Sequence, residues 1–161
     1  MKYSRVMCLV RGDDSDKEAI DTAVSLLSSN NRSLQLVYVI VVDRRFPLDA
    51  PNPSQYRKGE SVLRDAEFAT GLRGGVRGSI LQSRSIGPVL VREALDYGAE
   101  VIVASVKVLV TLNERKIDLD AEYLMTNAPC AVVLVRESAR GFEAVLSQPD
   151  QNILLRAERD D

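Results

Sequence analysis

The chain has 161 residues, a length that suits one domain, and its 45% hydrophobic content is enough to build a full core. Its formal net charge is −2 at pH 7, with acidic and basic residues mixed along the chain, so it lacks the basic stripe that binds nucleic acid. No apolar run reaches the roughly 18 residues of a membrane helix and the start shows no signal-peptide pattern, so we expect a cytoplasmic protein without membrane insertion.

Apolar runs and helical patterns alternate along the chain. The runs are short and mostly aliphatic, as in strands buried on both faces of a parallel sheet. They predict five strands, over residues 6–10, 34–42, 76–82, 100–104 and 131–135. Between them the apolar residues recur with the period of a helix. These segments predict four helices, over residues 16–29, 54–70, 88–97 and 119–126.

Polar residues and glycine indicate where several of the helices begin and end. Ser15 and Glu18 have the spacing of a capping box at the start of the first helix. Asn31 is close to its expected end, since asparagine tolerates a left-handed stop. Ser54 is the predicted cap of the second helix, and Gly98 is the predicted stop of the third.

Strands that alternate with helices at this spacing predict an α/β fold. The expected architecture is a doubly wound, five-stranded parallel sheet of order 3-2-1-4-5, with helices on both faces. This order leaves a crevice between the carboxyl ends of the first and fourth strands. The pattern ends near residue 137, so we divide the chain into a domain over 1–137 and a C-terminal extension over 138–161. We interpret the extension, with its apolar residues 153–155, as partly ordered or docked on a partner.

Charged residues surround the predicted crevice. Asp13, Asp14 and Asp16 stand at the start of the first helix, where they stabilise its dipole and repel phosphate. Arg11 either binds an acidic ligand or pairs with these aspartates, and we favour the pairing. Lys107 either lies in a solvated loop, which we favour, or shares an anion site with Arg11. The candidate ligand-binding residues are Arg11, Gly12, Asp13, Ile40, Ala104, Ser105 and Lys107.

Two further features of the composition limit the chemistry. The chain has no histidine, which excludes Ser–His and Cys–His nucleophilic pairs and histidine metal sites. Its cysteines, Cys8 and Cys130, lie in apolar runs without C-x-x-C spacing. We therefore expect buried thiols, no disulfide, no catalytic residues and no metal.

Three segments together resemble the universal stress protein family. They are the strand, turn and helix over residues 6–19, the entry to the fourth strand at 98–103, and the closing stretch 121–135. Their order and spacing agree with the family over roughly residues 4 to 137. The resemblance implies a homodimer formed through the fifth strand, which is uncharged and lies at a sheet edge. The predicted interface residues are Ala131, Val132, Val133, Leu134 and Val135.

The resemblance breaks down at the family's phosphate-binding motif. ATP-binding members carry Gly-x-x-Gly, nine residues, and then Gly-Ser or Gly-Thr after the fourth strand, because phosphates need a closely approaching backbone. Residues 104–120 contain no glycine, and Asp118 and Leu119 stand at the Gly-Ser pair. Arg11 replaces the acidic residue that usually ends the first strand. We therefore expect weak ATP binding at most, and no cofactor.

The resulting functional prediction is a non-catalytic, dimeric module in stress response or signalling. Its partners are a second copy and, left open, an unidentified protein or a small anion. The alternative is a switch that binds adenine nucleotides in the crevice between strands 1 and 4. An enzyme is the weakest hypothesis, because the sequence offers no histidine, phosphate loop or nucleophile–base pair.

Overall fold

A parallel β-sheet forms the centre of the computed structural model, which describes residues 2–110 and 112–136. In chain order the strands are β1 (Arg5–Val10), β2 (Ser33–Val41), β3 (Val76–Ser83), β4 (Val101–Val106), β5 (Val108–Val110), β6 (Arg115–Ile117) and β7 (Ala131–Arg136). Five of them pair in the order β3-β2-β1-β4-β7, and every pairing is parallel. The predicted fold class and strand order are confirmed, and the predicted fifth strand is β7.

In the described part of the chain, four helices cover the sheet in two layers. They are α1 (Ser15–Leu26), α2 (Pro53–Ala69), α3 (Ile86–Tyr97) and α4 (Leu119–Asn127). One face packs against α1 and α2, and the other packs against α3 and α4. Successive side chains of a strand point to opposite faces, so Cys8 of β1 joins the first layer and its neighbours Met7 and Leu9 join the second. β1 is therefore buried on both faces.

The helix boundaries differ from the predicted ones at the end of α1 and at two caps. α1 ends at Leu26 and not at residue 29, and Asn31 takes the left-handed region at φ 51° beyond the helix without ending it. Ser15 is the first residue inside α1, and Asp14 takes the cap position without a side-chain hydrogen bond. The predicted capping box of Ser15 and Glu18 is therefore wrong. α2 is capped by Asn52, whose side chain accepts a hydrogen bond from the Gln55 backbone, and not by Ser54. Gly98 ends α3 in the left-handed region at φ 69°, as predicted.

The segment after β4 is a β-hairpin and not the solvated loop that its basic residues suggested. Strands β5 and β6 pair antiparallel, with Val108 opposite Ile117. In a sequence, a β-hairpin is usually recognised by an Asn-Gly or Asp-Gly turn. This segment has neither, so the hairpin was not predicted. The remaining signal was a run of three apolar residues, Val108, Leu109 and Val110, which is too short to predict a strand.

Several other expectations concern the rest of the chain. None of the helices in the described part is long and apolar enough to cross a membrane. Cys8 is buried and Cys130 half-buried, and both are free thiols. Burial raises the pKa of the Cys8 thiol well above its ordinary value. The extension over 138–161, with its apolar residues 153–155, lies outside the described residues.

The second core layer gives a direct test of the fold on one helix. Leu90 of α3 is fully buried, whereas Leu95 is 61% exposed. We expect Leu90→Ala to lower the free energy of unfolding by about 2–5 kcal/mol, because it leaves a cavity in the core. Leu95→Ala should change it by less than about 0.5 kcal/mol. Chemical denaturation of both variants measures the difference, and equal effects would contradict the placement of α3.

Candidate functional site

The crevice lies at the carboxyl ends of β1 and β4, where the sheet runs to β2 on one side and to β7 on the other. In doubly wound sheets this switch point is the usual ligand position. Arg11, Gly12 and Asp13 follow β1, while Ser105 and Lys107 belong to the end of β4 and the residues after it. The fold therefore brings together five of the residues that the sequence singled out.

The other two predicted site residues belong to the core. Ile40 near the end of β2 is 3% exposed and packs in the α1–α2 layer. Ala104 of β4 is 2% exposed and packs in the α3–α4 layer. Because they are buried in opposite layers, neither presents a side chain to the crevice.

Three contacts cross the crevice between the β1–α1 turn and the end of β4. The Arg11 guanidinium donates to the Ser105 carbonyl oxygen at 3.4 Å. The hydroxyl oxygens of Ser15 and Ser105 lie 2.9 Å apart. Lys107 forms an ion pair with Asp13, at 3.1 Å between Nζ and Oδ2. The residues expected to face a ligand are thus bonded to one another.

The favoured pairing of Arg11 with the neighbouring aspartates is wrong. Within the described residues, its side chain forms no ion pair with them, and its Nε is buried without a hydrogen-bond partner. Lys107 is the cation that meets Asp13, so Lys107 is not a freely solvated side chain either. Burial raises the pKa of Asp13, but hydrogen bonds from Ser15 and Lys107 outweigh it and hold this pKa below its ordinary value.

Asp16 holds the backbone that follows β1. Its two carboxylate oxygens accept hydrogen bonds from the amides of Arg11 at 2.8 Å and Gly12 at 2.7 Å. Gly12 takes a φ of 80°, and a Cβ there would lie 2.7 Å from Val62 of α2, so this turn requires glycine. Burial raises the pKa of Asp16 even though both amides favour its ionised form.

Asp118 holds the backbone that follows β4. It caps α4, accepting from the amide of Ala121 at 2.8 Å, and its other oxygen accepts from the amide of Lys107 at 2.9 Å. The Asp118 amide in turn donates to the Lys107 carbonyl at 3.1 Å. One carboxylate therefore closes the base of the β5–β6 hairpin and satisfies the start of the next helix.

A second concave surface, a groove beside Gly12, is strongly acidic. It has a volume of about 330 Å³ and lies between α1 and α2. Its lining is Gly12, Asp13, Asp14, Asp16, Lys17, Ile20, Val62, Asp65, Ala66 and Ala69. Four carboxylates against one lysine make this groove unfavourable for a phosphate. Within the described residues, no three carboxylate or thiol side chains are arranged so that they could hold a metal ion.

Sequence and structure comparisons agree on one family. A model of the universal stress protein family matches residues 2–136. Comparison with curated protein sequences finds no match. A universal stress protein structure from Burkholderia pseudomallei has 27% identity and a TM-score of 0.57, covering 83% of this chain and 96% of its own.

Two similar solved structures contain mononucleotides. The universal stress protein of Archaeoglobus fulgidus in complex with dAMP has 14% identity and a TM-score of 0.62, covering 83% of this chain and 98% of its own. The Arabidopsis thaliana family protein with AMP bound has 15% identity and a TM-score of 0.57, covering 93% and 99%. At these identities the likeness concerns the fold.

The spacing of the family's glycine motif can now be placed on the structure. With Asp118 at the last glycine, the first two fall on Ser105 and Val108. Ser105 is 1% exposed and bonded to the β1–α1 turn, and Val108 begins the hairpin. Each of the three positions therefore has a structural role of its own. The sequence showed the missing glycines but not the contact between Asp118 and Lys107.

Two aspartates at cap positions form a matched pair for testing this geometry. Asp118 accepts two backbone hydrogen bonds, whereas the side chain of Asp14 makes no cap bond. We expect Asp118→Ala to lower the free energy of unfolding by about 1–2 kcal/mol, and Asp14→Ala by less than about 1 kcal/mol, through the helix dipole alone. Urea denaturation measures both. A larger effect at Asp14 would contradict the arrangement.

Proposed function

The chain belongs to the universal stress protein family, and we propose that it is a non-catalytic, homodimeric module of this family that acts in stress response or signalling without tight ATP binding. One observation carries this proposal. The backbone amides that follow β1 and β4 already bond to the carboxylates of Asp16 and Asp118. Free amides at these strand ends are what a phosphate needs.

Electrostatic repulsion lowers the expected affinity for ATP further, beyond the effect of the occupied amides. A phosphate at the Gly-Ser position of the motif would lie beside the Asp118 carboxylate. Two unit charges about 4 Å apart repel by roughly 4 kcal/mol at an effective dielectric near 20. That is equivalent to almost a thousandfold in affinity. Lys107 offsets little of this repulsion, because it already pairs with Asp13.

The described side chains of the crevice also lack an effective general base and an activated nucleophile. Ser15 and Ser105 are the hydroxyls in the crevice, and the carboxylate in contact with Ser15 is Asp13. A carboxylate with a lowered pKa is a weak general base. The Cys8 thiol is buried with a raised pKa, which disfavours the nucleophilic thiolate. These features support a binding or signalling role over an enzymatic one.

A second candidate function is a switch that binds an adenine mononucleotide. The similar structures with AMP and dAMP are complexes of monophosphates, which need fewer phosphate contacts than ATP. The buried Arg11 Nε, which has no partner among the described residues, is a donor that such a ligand would satisfy. Parallel titrations with AMP and ATP separate the two functions, since only the switch binds AMP at micromolar concentration.

Calorimetric titration with MgATP tests the proposal. We expect a dissociation constant weaker than about 10 μM for the natural sequence. The double substitution Asp118→Gly with Leu119→Ser restores the Gly-Ser pair and removes the repelling carboxylate, so it should bind at least about tenfold more tightly. The control is Asp96→Asn, which removes an exposed carboxylate near the end of α3, at the edge of the sheet opposite the crevice, and should bind no better. Tight binding by the natural sequence would refute the proposal.

The homodimer is proposed to form through β7. This strand is one edge of the sheet, and its four central residues, Val132, Val133, Leu134 and Val135, are only partly buried. Residues 131–135 of this edge strand are uncharged and offer free backbone groups and apolar side chains to a second copy.

Substitution in the centre of β7 tests this interface. We expect Val133→Lys to shift the protein from dimer to monomer in sedimentation velocity at micromolar concentration, because it places a charge in the apolar interface. Val41→Lys, at a 54% exposed position at the end of β2, is the matched control and should remain dimeric. Monomeric natural protein under the same conditions would contradict the interface.

A further inference from the structure

An apolar surface stands exposed where the family's glycine motif would lie. We call it the hairpin face, and it consists of Val108, Ile117, Leu119 and Tyr123. Their exposed fractions are 40%, 42%, 79% and 38%, respectively. Val108 and Ile117 face each other across the hairpin, and Leu119 and Tyr123 are one helical turn apart on α4. A two-stranded hairpin is marginally stable by itself, so a covering partner would stabilise it.

The register of the sheet fixes where the chain leaves the domain. Arg136, the last residue of β7, pairs with Val106, the last residue of β4. The hairpin begins two residues after Val106, at Val108. Arg136 therefore lies at the same edge of the sheet as the start of the hairpin.

The sequence that follows carries a compact apolar segment within short reach. Phe142, Val145 and Leu146 fall within five residues of one another. Phe142 is six residues beyond Arg136, and six residues span at most about 20 Å. Phe142 can therefore lie no more than about 20 Å from Arg136, within reach of the hairpin. Residues 153–155, which are also apolar, are 17 residues or more beyond Arg136 and are far less confined.

The charges of the hairpin and of residues 137–161 are also complementary. The hairpin carries Arg115 and Lys116 with Glu114, and Lys116 pairs with Glu114 at 2.8 Å. Residues 137–161 hold six acidic side chains and three arginines, and one of the acidic residues, Glu143, lies within the apolar segment. A net negative extension beside a net positive hairpin is attracted to it at moderate salt.

From these placements we infer that residues 142–146 dock on the hairpin face of their own chain. Phe142, Val145 and Leu146 would cover Val108, Ile117 and Leu119, and the short tether gives them a high effective concentration at that surface. Because Lys107 and Asp118 form the base of the hairpin, the docked segment would stabilise the edge of the crevice. This inference holds whether or not the crevice binds a nucleotide.

Hydrogen–deuterium exchange of the full chain tests the inference. The test variant is Phe142→Asp with Leu146→Asp, and the matched control is Ile153→Asp with Leu155→Asp. We expect amides in residues 107–118 to exchange about tenfold faster in the test variant and unchanged in the control. Amides in β4 should be unaffected in both. If the test variant also loses protection in β4, Leu146→Ser alone is judged by the same criterion.

Three results would overturn the inference. The first is a hairpin that exchanges at the same rate in the natural sequence and the test variant. The second is an equal change in the control, which would assign the surface to residues 153–155. The third is protection that disappears when the natural protein is diluted, which would assign it to a second copy of the chain.

Discussion

Two carboxylates hold the carboxyl edge of the sheet, and the arrangement of the crevice depends on them. Asp16 accepts from the two amides that follow β1, and Asp118 accepts from the amide that follows β4. Each also lies at the start of the next helix, where a negative charge is favourable. The chain thus places its own carboxylates where a doubly wound fold ordinarily binds the anionic group of a ligand.

The contacts that cross the crevice complement these carboxylates. The pair of Lys107 and Asp13 is largely solvent-exposed, so it contributes little to stability. Its effect is local, because it links the β1–α1 turn to the residue that follows β4. Ser105 acts on the same turn through Arg11 and Ser15. The loss of the glycines is thus accompanied by a connected set of replacement contacts.

The sequence predicts most of the fold, because periodicity and strand order follow from local patterns. β1 illustrates this, as its unbroken apolar run required burial on both faces, and Cys8 and Leu9 do lie in opposite layers. The site is predicted less well, because its contacts join residues distant in sequence. The bond between Asp118 and Lys107 spans a hairpin without a turn signal. Likewise, the sequence around Arg11 does not indicate that Asp13 forms its ion pair with Lys107 and not with Arg11.

In the proposed function, the carboxylates of Asp16 and Asp118 occupy the backbone amides that a bound nucleotide would use. Native mass spectrometry of freshly purified protein tests this replacement, since subunit number and retained small molecules appear in one spectrum. We expect a species of twice the chain mass, with no additional mass of a nucleotide. A species that retains ATP would contradict it.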